Sequence, residues 1–131
     1  MNIRINRITL GIANIERTLQ FYNTWLGCEP YEVSKAQISY KLDNINLVFV
    51  PLTKLASDAD VNDESEGFEG IILSRYANSI ENVNKILKIA ENAGGFVTKR
   101  ASKMNEDRYS GYFSDLDGHM WEVVHYNRHK V

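Results

Sequence analysis

Cysteine is nearly missing from this chain. Cys28 is the only one among 131 residues. An intramolecular disulfide framework and any multi-cysteine zinc site are thereby excluded. Histidine is also scarce: His119, His125 and His129 all lie at the C-terminal end. Charge of one sign is lacking too. Fifteen Lys and Arg face seventeen Asp and Glu, a formal net charge of −2, which removes the basic surplus expected of a nucleic-acid binder. No apolar stretch approaches the roughly 18 residues that span a bilayer, and Met1-Asn2-Ile3-Arg4 has no signal-peptide apolar segment. A cytoplasmic protein with no nucleic-acid or membrane partner is the resulting expectation. What the chain does have is 44% hydrophobic residues, enough for one domain with a real core.

Residues 3–12 alternate polar and apolar, as a strand with two unlike faces does. Ile8, Leu10 and Ile12 share one face; Arg7, Thr9 and Gly11 share the other. Asn14 then stands as a helix N-cap, with Glu16 in the first turn. Ile15, Leu19, Tyr22 and Leu26 recur at helical spacing, and Gly27 suits a left-handed stop. The spacing predicts a helix over 15–26. Three short strands are predicted over 29–52: Pro30 to Val33, Gln37 to Leu42, and Ile45 to Val50 ended by Pro51.

Residues 53–66 carry Asp58, Asp60, Asp63, Glu64 and Glu66 and read as a solvated loop. With Asn62 and Glu69 several of these match positions of a calcium-binding loop, but Asp63 stands where the sharp turn needs glycine. The opening pattern then returns. Gly70 to Ser74 reads as a strand and Ser79 as a cap. Ile80, Val83, Leu87 and Ala90 form a helical stripe that ends at Gly94-Gly95. Strands follow at Phe96 to Lys99, Tyr109 to Ser114 and, after the turn Asp115-Leu116-Asp117-Gly118, His119 to Tyr126. Lys99 to Asp107 reads as a basic-ended loop. Strand, helix and three strands thus occur twice, with Gly27 and Gly94 at matching helix ends. A repeat of this kind predicts one α+β domain over 1–131, with modules at about 1–52 and 67–131 and a linker at 53–66. The modules should share a curved sheet, with helices on the convex side and a cleft on the concave side.

Two segments carry a family resemblance. The first is Ile8-Thr9-Leu10-Gly11-Ile12-Ala13-Asn14-Ile15-Glu16-Arg17-Thr18, continued by Phe21-Tyr22 and Leu26-Gly27. The second is Gly111-Tyr112-Phe113-Ser114-Asp115-Leu116-Asp117-Gly118-His119-Met120-Trp121-Glu122-Val123. The chain resembles the vicinal oxygen chelate superfamily, which includes glyoxalase I, bleomycin-resistance proteins and extradiol dioxygenases. It departs at Asn14, where the family usually has Asp, and at Leu116, where it usually has Pro. The resemblance implies paired βαβββ modules forming a curved mixed sheet around a central cleft. It implies four ligand positions in metal-dependent members, which fall on Arg7, Val48, Gly70 and Glu122. Of these only Glu122 offers a donor. No metal and no cofactor are therefore expected.

The resulting site expectation is a small-molecule pocket. Strand alternation and the resemblance together place Arg7, Thr9, Val48, Gly70, Ile72, Met120 and Glu122 on the concave face, with Val48, Ile72 and Met120 as an apolar wall. Glu122 is the candidate catalytic base, and Arg7 is its expected charge partner or a grip for a substrate carboxylate or phosphate. His119 and His125 share the opposite face of their strand with Trp121 and read as surface or core-edge residues, and Cys28 as a buried, inert thiol. The leading function is a metal-independent pocket of the glyoxalase/bleomycin-resistance type, acting by sequestration or as an enzyme. The alternatives are a metal-dependent lyase or isomerase of the glyoxalase I type and a non-enzymatic interaction module. The resemblance and the base rate of twofold assembly both imply a homodimer.

Overall fold

The computed structural model describes residues 3–64 and 67–127. Glu66 and His129 lie outside the described residues. The chain divides into two compact units, Met1–Gly67 and Phe68–Val131. Both are α+β, and each carries its own four-stranded mixed sheet.

The first unit runs β1 (Arg7–Ile12), α1 (Ile15–Leu26), β2 (Glu32–Val33), β3 (Ile38–Lys41), β4 (Asn46–Pro51) and α2 (Leu52–Ala59). Its strand order is β1-β4-β3-β2, with β1 parallel to β4 and the other pairs antiparallel. Helix α1 starts where Asn14 Oδ1 accepts from Arg17 N at 2.9 Å and stops at Gly27, whose φ is 73°. It buries Thr18, Phe21, Tyr22 and Trp25. The Tyr22 ring lies 4.3 Å from Phe49 and packs against Tyr40, so the helix-side core is aromatic. The Tyr40 hydroxyl donates to Asn23 Oδ1 at 2.7 Å, and burial, reinforced by Cys28 and Glu29, raises its pKa. Cys28 itself is exposed, contrary to the expectation of a buried thiol, because the chain leaves the core at Gly27.

Residues 53–66 differ from the loop expected of them. Helix α2 occupies their first half and stops at Asp60, which is left-handed with φ 58°. Leu52, Leu55 and Ala56 are spaced for one helical face, and Pro51 ends β4 and starts α2 in one step, since the first helical turn needs no proline N–H. Leu52 packs against Gly11, where a Cβ would come within 2.5 Å of its side chain.

The second unit runs β5 (Ile72–Tyr76), α3 (Ile80–Asn92), β6 (Phe96–Lys103), β7 (Arg108–Ser114) and β8 (Met120–Tyr126), in the order β5-β8-β7-β6. Again the first and last strands are parallel and the rest antiparallel. Ser79 Oγ accepts from Asn82 N at 3.0 Å and α3 buries Val83, Leu87 and Ala90. Two expectations shift. Strand β5 begins at Ile72 rather than Gly70, which is left-handed with φ 83°. Lys99 to Lys103 belong to β6 and not to a loop, and irregular pairing with β7 absorbs the extra residues. Gly111 is required where β7 passes under α3: a Cβ there would lie 2.5 Å from the Leu87 side chain and 2.9 Å from the Ala101 backbone. Among the described residues no helix is long and apolar enough to cross a membrane.

Candidate functional site

The site grows out of the register between β7 and β8. The turn joining them is held by Asp115, whose Oδ1 accepts from Asp117 N at 2.9 Å and His119 N at 2.8 Å. Gly118 supplies the positive φ, 88°, that closes it. This turn sets Ser114 opposite Met120, and counting back in twos sets Tyr112 opposite Glu122, Ser110 opposite Val124 and Arg108 opposite Tyr126. On the other side of β8, Ser74 pairs with Glu122 and Ile72 with Met120. Paired residues share a face. Arg108, Ser110, Tyr112, Ser74 and Glu122 therefore share one.

That face points away from α3. Gly111 and Tyr109 alternate with the site residues along β7. Gly111 abuts Leu87, and the Tyr109 hydroxyl donates to Asn84 Oδ1 at 3.0 Å, both on α3. Trp121 shares that helix side and is buried, as its parity predicts.

Glu122 is the centre of a polar cluster. Its side chain is only 8% exposed, against 28% for Arg108. Oε1 accepts from Ser74 Oγ at 2.9 Å. Oε2 accepts from Arg108 Nε at 3.1 Å, from Arg108 Nη2 at 2.5 Å, and from the Tyr112 hydroxyl at 3.3 Å. Nη2 also donates to the Tyr112 oxygen at 2.7 Å. Burial by itself would raise the Glu122 pKa. The hydrogen bonds from Arg108 and Ser74 and the guanidinium charge outweigh it, so the carboxyl sits below its ordinary range. The Ser110 hydroxyl is buried on the same face with no partner at good hydrogen-bonding geometry, yet it too favours the ionised form. Arg108 is held correspondingly more basic, chiefly by its hydrogen bond to Glu122.

The charge partner of Glu122 is thus Arg108 of its own unit, where sequence reading named Arg7. Arg7 opens β1, exposed, with Thr9 and Val48 on its face. Its unit brings together Arg7, Thr9 and Val48; the second unit brings together Ile72, Met120 and Glu122. Gly70 precedes β5 and belongs to no ladder. The sequence reading also sets Arg7 at the place in the first module that Glu122 holds in the second, and the two ladders correct this. Counting from the caps Asn14 and Ser79, Arg7 corresponds to Ile72 and Thr9 to Ser74. Val48, not Arg7, corresponds to Glu122.

Arg108 escapes sequence patterning because it falls between the loop read over Lys99 to Asp107 and the strand read from Tyr109. The usable signal is its parity with Ser110 and Tyr112, which needs the β7 start to be known. His125 is structural: its Nδ1–H donates to Ala77 O at 2.9 Å, tying β8 to the end of β5.

The four positions that the resemblance assigns to ligands, all among the described residues, do not make a donor set for a metal ion. Glu122 is the one donor among the four positions that the resemblance assigns to ligands, and a guanidinium already neutralises it. Among the described residues no group of three or more His, Cys, Asp and Glu side chains is placed to hold an ion.

Comparison with known proteins agrees with this architecture. The family model described as Glyoxalase/Bleomycin resistance protein/Dioxygenase superfamily matches residues 4–123. A glyoxalase-related enzyme from Fulvimarina pelagi superposes with a TM-score of 0.87 at 24% identity, over 93% of this chain and 87% of that one. A glyoxalase/bleomycin resistance protein/dioxygenase family enzyme from Burkholderia phytofirmans PsJN gives 0.83 at 15% identity, over 92% and 97%. A glyoxalase/bleomycin resistance protein/dioxygenase from Nocardioides gives 0.78 at 14% identity, over 99% and 87%. At these identities the likeness is one of fold. Comparison with curated proteins returns no match.

Proposed function

Because the chain belongs to the Glyoxalase/Bleomycin resistance protein/Dioxygenase superfamily, we propose that it is a metal-independent small-molecule-binding member of it. The observation that carries this reading is the Glu122 carboxylate, held by Arg108, Ser74 and Tyr112. A carboxylate whose pKa is lowered and whose Oε2 already takes three hydrogen bonds is a poor proton acceptor. The same group is well suited to hold Arg108 and Tyr112 rigid for a ligand. The reading therefore favours binding or sequestration over turnover. Ile72 and Met120, paired beside this cluster, supply apolar contact.

The test is metal analysis of purified protein joined to a thermal-stability screen of small acids, antibiotics and thiol conjugates. A chelator should leave the melting temperature unchanged, and at least one compound should raise it. A ligand at 100 times its Kd contributes about 2.7 kcal/mol. Stoichiometric nickel, zinc or iron bound through Glu122 would overturn the reading in favour of a metal-dependent lyase or isomerase.

A homodimer is part of the same proposal. Ile3 and Ile5 before β1, Ile71 before β5 and Tyr76 at its end expose apolar side chains beside strands that end their sheets. A second copy would cover such surface. Light scattering at the monomer mass across the micromolar range would count against it.

A further inference from the structure

We propose that the Arg108–Tyr112 pair is a receptor for the carboxylate of a small organic acid with an apolar body. The inference rests on the reading above that this face of the second unit binds a small molecule, and it names the ligand's chemistry.

The cluster is saturated on one side and open on the other. Glu122 Oε2 accepts three hydrogen bonds and Oε1 accepts that of Ser74. The buried carboxylate thus offers little to a ligand's donors. Arg108 is different. Its Nε and Nη2 are spent on Glu122 and Tyr112, but Nη1 has no hydrogen-bonding partner among the described residues. The guanidinium is planar and is pinned through its other two nitrogens, so the Nη1 N–H groups are preoriented. More than a quarter of the Arg108 side chain is exposed, so a ligand can reach it. The Tyr112 oxygen accepts from Nη2 at 2.7 Å, and its own proton has only a long 3.3 Å contact with Oε2. A better acceptor would draw that proton outward. The cluster therefore presents donors.

Two donors, a guanidinium nitrogen and a phenol, suit the two oxygens of one carboxylate. An ammonium ligand would meet N–H and O–H groups and find the one carboxylate occupied. Ile72 and Met120 lie two residues along the sheet from Ser74 and Glu122 on the same face. Ile72 is exposed and Met120 partly so, which provides a seat for an apolar body next to the anchor.

The experiment is a titration of the full chain, labelled with nitrogen-15, with benzoate and separately with benzylammonium. Each is followed by the Arg108 Nε–H and amide signals. Benzoate at millimolar concentration should shift the Arg108 Nε–H signal saturably, and benzylammonium should leave it in place. Tyr112→Phe keeps the ring and removes the phenol. It should weaken benzoate about tenfold while its amide spectrum stays that of the folded wild type. Arg108→Lys, which keeps the charge but loses the planar donors, should also weaken benzoate. A saturable response to benzylammonium with benzoate silent would overturn the proposal. So would silence of both probes, or equal benzoate affinity in wild type and Tyr112→Phe. Failure here is distinct from failure of the functional reading. That reading falls if metal is bound through Glu122 or if no compound of the wider screen stabilises the protein, whatever benzoate does.

Discussion

The central strands of the two units carry opposite chemistry at one ladder position. In the first unit Val48 of β4 lies between Thr9 of β1 and Ser39 of β3. In the second, Glu122 of β8 lies between Ser74 of β5 and Tyr112 of β7. Both central residues are buried, Val48 to 2% and Glu122 to 6% exposure. The backbone frame is the same and hydroxyl side chains flank both, but the central side chain is an isopropyl group in one and a carboxylate in the other. A buried valine needs nothing further. A buried carboxylate must be paired, and Arg108 supplies the pairing. The repeat therefore decides where a side chain points, and one extra residue decides whether the position is inert wall or charged site.

The comparison can be broken from the second unit. Arg108→Met leaves the Glu122 carboxylate buried without its cation and should cost about 3–5 kcal/mol in urea unfolding. Adding Glu122→Val makes the position resemble Val48 and should return most of that loss. If the double variant is as unstable as the single one, packing rather than charge holds this face.

Breaking it from the first unit should cost less. Val48→Glu introduces a carboxylate beside the hydroxyls of Thr9 and Ser39, with Arg7 two positions along β1 on the same face. With Arg7 on the same face as a counterion, we expect a loss of about 3 kcal/mol, the low end of the range for a buried charge. Arg7→Ala added to Val48→Glu should deepen it. An unchanged loss would show that Arg7 cannot do for the first unit what Arg108 does for the second.

Acid should separate the two positions more gently. The folded-state pKa of Glu122 is depressed: burial raises it, but the Arg108 and Ser74 hydrogen bonds and the Arg108 charge outweigh this. Its contribution is therefore present above the ordinary carboxylate value of about 4.3 and is lost as pH falls through the lower folded value. Wild type should lose stability relative to Glu122→Gln only below about pH 4.3. A gap that closes near neutrality would contradict the depressed value.

The smallest expected effects are those the two units share. Asn14→Ala and Ser79→Ala should each cost about 1 kcal/mol, with little difference between them. Each cap accepts from the N–H three residues on, at 2.9 and 3.0 Å. Unequal losses would mean that one helix depends on its cap more than the other.

Sequence alone determined the elements whose signals are local. Asn14 and Gly27 bound α1, and Ser79 opens α3, because capping chemistry acts within a few residues. The βαβββ repeat and the turn from Asp115 to Gly118 were legible for the same reason, as were the family and the opposed faces of Glu122 and Trp121. Tertiary structure alone decided the rest. Helix α2 lay hidden behind a proline and a run of acids, and its apolar face has meaning only where Leu52 meets Gly11. The start of β5 at Ile72 and the extension of β6 to Lys103 depend on which strand lies alongside, since a ladder hydrogen bond needs its partner. Arg108 and Glu122 are fourteen residues apart on different strands. No local pattern relates them. The hairpin register brings them to one face, and burial of the carboxylate then makes the guanidinium its counterion.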